Sequence, residues 1–177
     1  MNGPCKTLVT VLCAAIMALS GVIFTTATIA TGQELNSYAE QLQGSWTLVS
    51  MVNEQDGKKI EPFGSNPNGL FILTQDGRFS QIITRANLPK FKSDNRMKGT
   101  DKEYESIVQG SFASYGKYKI QSEKDHAVIL TIDCSTFPNW INQEQKRIIT
   151  INGDGLKSYN PTTTIGGTNY SIWKRSK

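Results

Sequence analysis

Arg147 is the residue whose type and setting most plainly suggest chemistry. In 143–152, Gln145, Arg147, Ile149 and Ile151 alternate with Glu144, Lys146, Ile148 and Thr150. Successive strand residues point to opposite faces, and the face with two isoleucines is the expected interior, which carries Arg147 inside. A buried guanidinium is costly unless paired, and its planar fork suits a carboxylate. Two groups of the chain compete with a ligand for that role: Asp133, and the ring of Trp46. Arg85 shares an alternating face with Phe79, Gln81 and Ile83. It either points inward near a rim or is the first exposed charge of the loop that follows. Tyr104, Tyr115, Tyr118 and Trp140 combine apolar area with one oriented hydrogen bond, as cavity-lining residues do; plain core packing is the alternative for each. Tyr118 lies between Lys117 and Lys119 and so faces inward, whereas Trp140 follows Pro138-Asn139 at a strand end, a rim position. The expected ligand-binding set is therefore Arg147, Tyr118, Tyr104, Trp140, Tyr115 and Arg85.

The supply of catalytic groups is thin. His126, the only histidine, follows Lys124-Asp125 at a turn and reads as a solvated side chain. Cys134 lies in an alternating strand pattern and reads as a small buried hydrophobe. One His and one Cys cannot build a metal site of the usual ligands, and any Ser-His-Asp set would need His126. Asp133 beside Tyr118 would make an acid pair, but no spacing supports it. No catalytic residue, metal or cofactor is expected. Asn169-Tyr170-Ser171 fits a glycosylation sequon, a pattern common by chance. Lys90, Phe91, Lys92, Arg96 and Lys98 form a basic loop: a lid, an attractor of anions or a membrane surface, or a solvated connection.

The elements that must position these residues are strands. The first 32 of the 177 residues have one charge, Lys6, an apolar stretch from Leu8 to Phe24 and a small-residue exit at Ala30-Thr31-Gly32. That is the pattern of a cleaved secretory signal, and the stretch is shorter than the ~20 residues needed to span a bilayer. A secreted or periplasmic protein without stable membrane insertion is expected. Removing Lys6 lowers the formal net charge from +4 to +3 and also removes Cys5 and Cys13, so that Cys134 has no partner for an internal disulfide. The remaining charge is too scattered to indicate nucleic acid.

Residues 33–177 form one domain, large enough to bury roughly 70% of its unfolded surface. Asn36–Gln43 has apolar residues at helical spacing. Strands are expected over 44–52, 70–74, 78–85, 115–121, 126–135, 143–152, 156–159 and 169–175, with Trp46, Leu48 and Ser50 on one face of the first. Gln75-Asp76-Gly77 and Gly153-Asp154-Gly155 mark tight turns. Thr100 and Glu103 make a capping box for one helix over 101–113, with Tyr104, Ile107, Val108 and Phe112 on a stripe. An antiparallel sheet of eight strands removes its edges by closing, and its interior then fills with side chains or holds one small ligand. The expected fold is all-β: an eight-stranded antiparallel barrel with one short helix lying across an opening.

The chain resembles the lipocalin-like domain family of the calycin type, found in bacteria and fungi, over nearly all of residues 33–177. The resemblance rests on Gly44-x-Trp46-x-Leu48-Val49-Ser50, Pro62-Phe63-Gly64 with Pro67-x-Gly69, Thr74-x-Asp76-Gly77, Gly99-Thr100-x-x-Glu103-Tyr104, Phe112-x-x-Tyr115-Gly116-x-Tyr118, Phe137-Pro138-Asn139-Trp140 and Gly166-Gly167. It implies that Gly44 lets the chain pass closely under the barrel and that Trp46 plugs its closed end. Members often have a His in the strand before the Phe-Pro-Asn-Trp element. Here Leu130 and Thr131 stand there, so a general base at that place would be missing. Fold alone does not supply function. The first functional expectation is a container for a small hydrophobic molecule, its head, where acidic, held by Arg147. The alternatives are an isomerase- or cyclase-type enzyme acting on a polyketide- or terpene-like substrate, and an envelope protein with a filled barrel.

Overall fold

Alternating apolar residues in nine segments pair into one antiparallel sheet in the computed structural model, which describes residues 37–177. The expected signal peptide lies outside the described residues. After helix α1 (Tyr38–Leu42) come β1 (Gly44–Gln55), β2 (Lys58–Ile60), β3 (Asn68–Leu73) and β4 (Arg78–Thr84). Helix α2 (Asp101–Gly110) leads into β5 (Ser111–Ser122), β6 (Ala127–Ser135), β7 (Glu144–Asn152), β8 (Gly155–Asn160) and β9 (Thr168–Arg175). Neighbours pair in the order β1-β3-β4-β5-β6-β7-β8-β9, and β9 returns to pair with β1. The eight-stranded barrel is closed, with β2 an extra strand on the end of β1.

Several element boundaries differ from the sequence expectation. The short β2 is not among the expected strands. Helix α2 stops at Gly110, and β5 begins at once with Ser111. A Cβ at Gly110 would stand 2.6 Å from the Leu88 side chain, so the helix end packs closely on the preceding loop. Ser50 does not share the inner face of Trp46 and Leu48. The β1–β9 register shifts between Leu48 and Ser50, and the bulge turns Met51 and Asn53 inward instead. Cys134 is half-buried and not a core residue.

The closed end is built around Trp46, which is fully buried and donates from Nε1 to Leu42 O at 3.0 Å. Arg175, its register partner on β9, lays its guanidinium 4.1 Å from the centre of the indole. The same group donates to Gln43 O and Gln41 O, both at 2.8 Å, tying α1 and its exit to the last strand. Gly44, at φ +122°, passes beneath: a Cβ there would come within 2.9 Å of Arg175 Nη1. Leu42, Leu73, Phe79, Leu130 and Ile132 complete the core at this end. Fully burying one such side chain stabilises by roughly 1.5–3 kcal/mol.

Candidate functional site

Inward residues of four adjacent strands, read from the closed end outward, stack in three layers. Leu48, Trp173, Leu156 and Ile151 are successive register partners across β1, β9, β8 and β7, and they make an apolar floor. Met51, Ser171, Ser158 and Ile149 follow in the same way, and Trp173 Nε1 donates to Ser171 Oγ at 2.8 Å. The third layer is polar. Asn53 pairs with Asn169, and Asn169 with Asn160. Arg147 completes the row, because Ile148 pairs with Tyr159 and Arg147 and Asn160 are the next residues out. The opposite wall is more apolar, with Phe71, Gln81 and Ile83.

These layers enclose a cavity of about 300 Å³, at the small end of ligand sites, which run from about 300 to 1,000 Å³. The interior is not filled. Pro62 and Phe63, the end of α2 at Val108 and Gln109, Phe137 and Trp140, and the 163–165 loop surround the mouth. Trp140 is held there by edge-on contacts to Phe112 and Phe137, with ring centres 5.7 and 5.9 Å away.

Arg147 is 8% exposed and on the wall of this cavity. Its sole hydrogen bond among the described residues runs from Nη1 to Lys146 O at 3.3 Å. A guanidinium offers five N–H donors, so most of them have no acceptor among the described residues. Burial pulls its pKa down from the ordinary guanidinium value to about 9, and it remains charged at neutral pH. Neither partner considered from the sequence takes it. Asp133 points outward and pairs with Arg78 at 3.4 Å. The ring of Trp46 is taken by Arg175. The arginine that seals the closed end is thus at the end of the last strand, opposite Trp46, while Arg147 is left facing the cavity.

Four other expected site residues lie elsewhere. Tyr118 faces inward but at the closed end, where its hydroxyl donates to Thr74 O at 2.8 Å; burial, then nearby Asp76, raises its pKa. Tyr115 lies on the outer face of β5. Tyr104 stands outside the cavity, its hydroxyl accepting from Gly99 N at 2.8 Å and its ring against Phe91. Arg85 donates from Nε to Pro62 O at 3.1 Å, pinning the mouth loop without lining the cavity. Of the six, Arg147 and Trp140 line the cavity.

The sequence reading missed the asparagine row. Asn53 is 1% exposed. Its Nδ2 donates to Gly166 O at 2.9 Å, while its Oδ1 has no partner among the described residues. Asn169 donates to Val52 O at 3.2 Å, and Asn160 Oδ1 accepts from Thr162 N at 3.1 Å. Asn169, the sequon asparagine, is buried in this wall. The usable signal was three asparagines at strand ends, each two positions from an inward residue.

The basic loop is fastened to α2. Lys92 N donates to Glu103 Oε1 at 2.9 Å, and Glu103 also accepts from Thr100 N at 2.7 Å, completing the capping box. Those backbone bonds hold the Glu103 carboxyl below its usual pKa. Among the described residues no Asp, Glu or His lines the cavity, and no group of three or more His, Cys, Asp or Glu side chains is placed to hold a metal.

Comparison with known proteins gives three findings. A solved structure of an uncharacterized protein from Bacteroides eggerthii is similar at 15% identity and a TM-score of 0.38, covering 75% of this chain and 98% of that one. A fungal protein from Aspergillus oryzae, the 4'-hydroxy-3'-methoxypropiophenone carrier protein ppsC, is 26% identical over 83 residues, which are 44% of this chain and 75% of the relative. A family model described as a lipocalin-like domain matches residues 43–175, nearly all of the barrel. With the closed barrel and its plugged end, that match makes the chain a member of the lipocalin-like domain family.

Proposed function

We propose that this protein is a carrier for a small, mostly apolar molecule, held inside the barrel with Arg147 facing its polar head. One observation carries the reading: a buried, charged guanidinium lies on the wall of an otherwise largely apolar cavity, with one backbone carbonyl as its partner. Natural proteins rarely leave such a group unpaired. An acidic or carbonyl oxygen of a ligand completes it, and Met51, Phe71, Trp140 and Trp173 provide the apolar contact. A relative named as a carrier of a substituted propiophenone supports the same reading. The N-terminal apolar stretch supports placing the carrier outside the cytoplasm, in a secreted or periplasmic setting. The isomerase or cyclase alternative lacks support on the cavity wall, where no acid–base pair lies among the described residues.

Native mass spectrometry of the purified protein, before and after solvent extraction, tests this proposal. A co-purifying species of a few hundred daltons, lost on extraction and absent from Arg147→Met, is the expected result. A clean mass, with no binding of any apolar acid or ketone offered to the extracted protein, would overturn it.

A further inference from the structure

Arg147 is not the only incomplete polar group in the cavity wall. Asn53 lines the same cavity, is almost wholly buried, and has an Oδ1 without a partner among the described residues. The orientation of its amide is set by Gly166 O, which accepts from Nδ2 at 2.9 Å as well as from Thr163 Oγ1 and would repel an amide oxygen at that distance. What remains is an acceptor. Arg147 and Asn53 thus present opposite demands, the first for an acceptor and the second for a donor.

Their places in the barrel are informative. Asn53 is on β1 and Arg147 on β7, and β9 and β8 separate them. Three steps around eight strands is one short of directly opposite. Between them, Asn169 and Asn160 direct hydrogen-bonding capacity to the backbone, at Val52 O and Thr162 N. The two unfilled demands therefore lie at the two ends of the polar row, three strands apart, above a floor of Trp173, Leu48 and Leu156.

We infer that the ligand is polar at both ends: an acidic or carbonyl oxygen bound by Arg147 and a hydroxyl donating to Asn53 Oδ1, with an apolar, flat body lying across the barrel between them. This rests on the carrier reading and narrows it to a class, the hydroxylated aryl or alkyl acids and ketones. A ligand with one polar end would bring no donor to Asn53 Oδ1. A buried acceptor left unpaired weakens binding roughly tenfold or more, and a site built to hydrogen-bond a hydroxyl rejects the analogue lacking it.

The test varies the ligand and keeps the protein intact. Calorimetric titration of the extracted protein would compare 3-(4-hydroxyphenyl)propanoate with 3-phenylpropanoate and 3-(4-methoxyphenyl)propanoate. The methoxy compound keeps the oxygen and loses the proton. We expect the hydroxy acid to bind about tenfold tighter than either of the others. We also expect Asn53→Val to erase that preference; should that variant not fold, the wild-type series decides. Equal affinities for the three acids, or tightest binding of the methoxy acid, would overturn the inference and leave the carrier proposal standing. Binding of none of the three would overturn this inference and count against the carrier proposal as well.

Discussion

Replacing Arg147 by methionine should make the empty protein more stable. Burial pulls the guanidinium pKa down from its ordinary value to about 9. At about 1.4 kcal/mol for each tenfold change in proton affinity, that corresponds to a desolvation cost on the order of 5 kcal/mol. One backbone hydrogen bond at 3.3 Å offsets little of it. Methionine has a comparable unbranched stem, no polar atom to satisfy, and adapts to irregular space. Relaxation around a buried charge reduces the penalty in real proteins, so a gain of about 2–4 kcal/mol is expected. The assay is urea unfolding at pH 7, where a slope of about 2 kcal/mol/M turns that gain into a midpoint shift of about 1–2 M. The slope itself should not change. The pH dependence gives a second check. Above about pH 9 the unfolded chain binds more protons than the folded one, so wild-type stability rises with pH there. The difference between variant and wild type is therefore constant below about pH 9 and narrows above it. A variant no more stable than wild type at pH 7 would refute the reasoning, because it would show that Arg147 is already compensated within the protein.

Other perturbations separate the mouth from the closed end. Trp140→Ala removes a cavity wall and two edge-on aromatic contacts. It should weaken ligand binding about tenfold at a stability cost of about 1–2 kcal/mol, measured by calorimetry and urea unfolding. Arg175→Met removes the stack on Trp46 and two hydrogen bonds to the α1 exit. It should cost about 2–4 kcal/mol of stability and leave ligand affinity within about twofold, measured by the same two methods. Gly116→Ala would place a Cβ 2.0 Å from Thr131 O at the β5–β6 bulge. Backbone must move, and thermal unfolding should show a loss of at least about 1–3 kcal/mol. An apolar acid should bind with full affinity below pH 9 and progressively less above it, as Arg147 loses its proton.

The barrel was legible because its strands alternate. Gln145, Arg147, Ile149 and Ile151 read inward from sequence and are inward, since β7 runs without a bulge. Turn residues such as Asp76-Gly77 marked the β3–β4 hairpin. Where periodicity breaks, the reading broke with it. The bulge after Leu48 changes which residues of β1 face the core, and no local pattern announces it. The asparagine row arises from pairing between strands more than a hundred residues apart, Asn53 with Asn169, and such register is a property of closure. The tyrosines were chosen by residue type. Type alone could not say that Tyr118 would be spent on Thr74 O or Tyr104 on Gly99 N. Arg175, and not Arg147, stacks on Trp46, because the β1–β9 pairing sets Arg175 against that ring.

The most direct test of Arg147 as the anchor of a ligand site is a crystal structure of the extracted protein with 3-phenylpropanoate. We predict carboxylate oxygens about 2.7–2.9 Å from the Arg147 guanidinium and the ring between Trp140 and Trp173. A ligand found only outside the barrel, or inside with its carboxylate turned to solvent and Arg147 still on Lys146 O alone, would contradict that assignment.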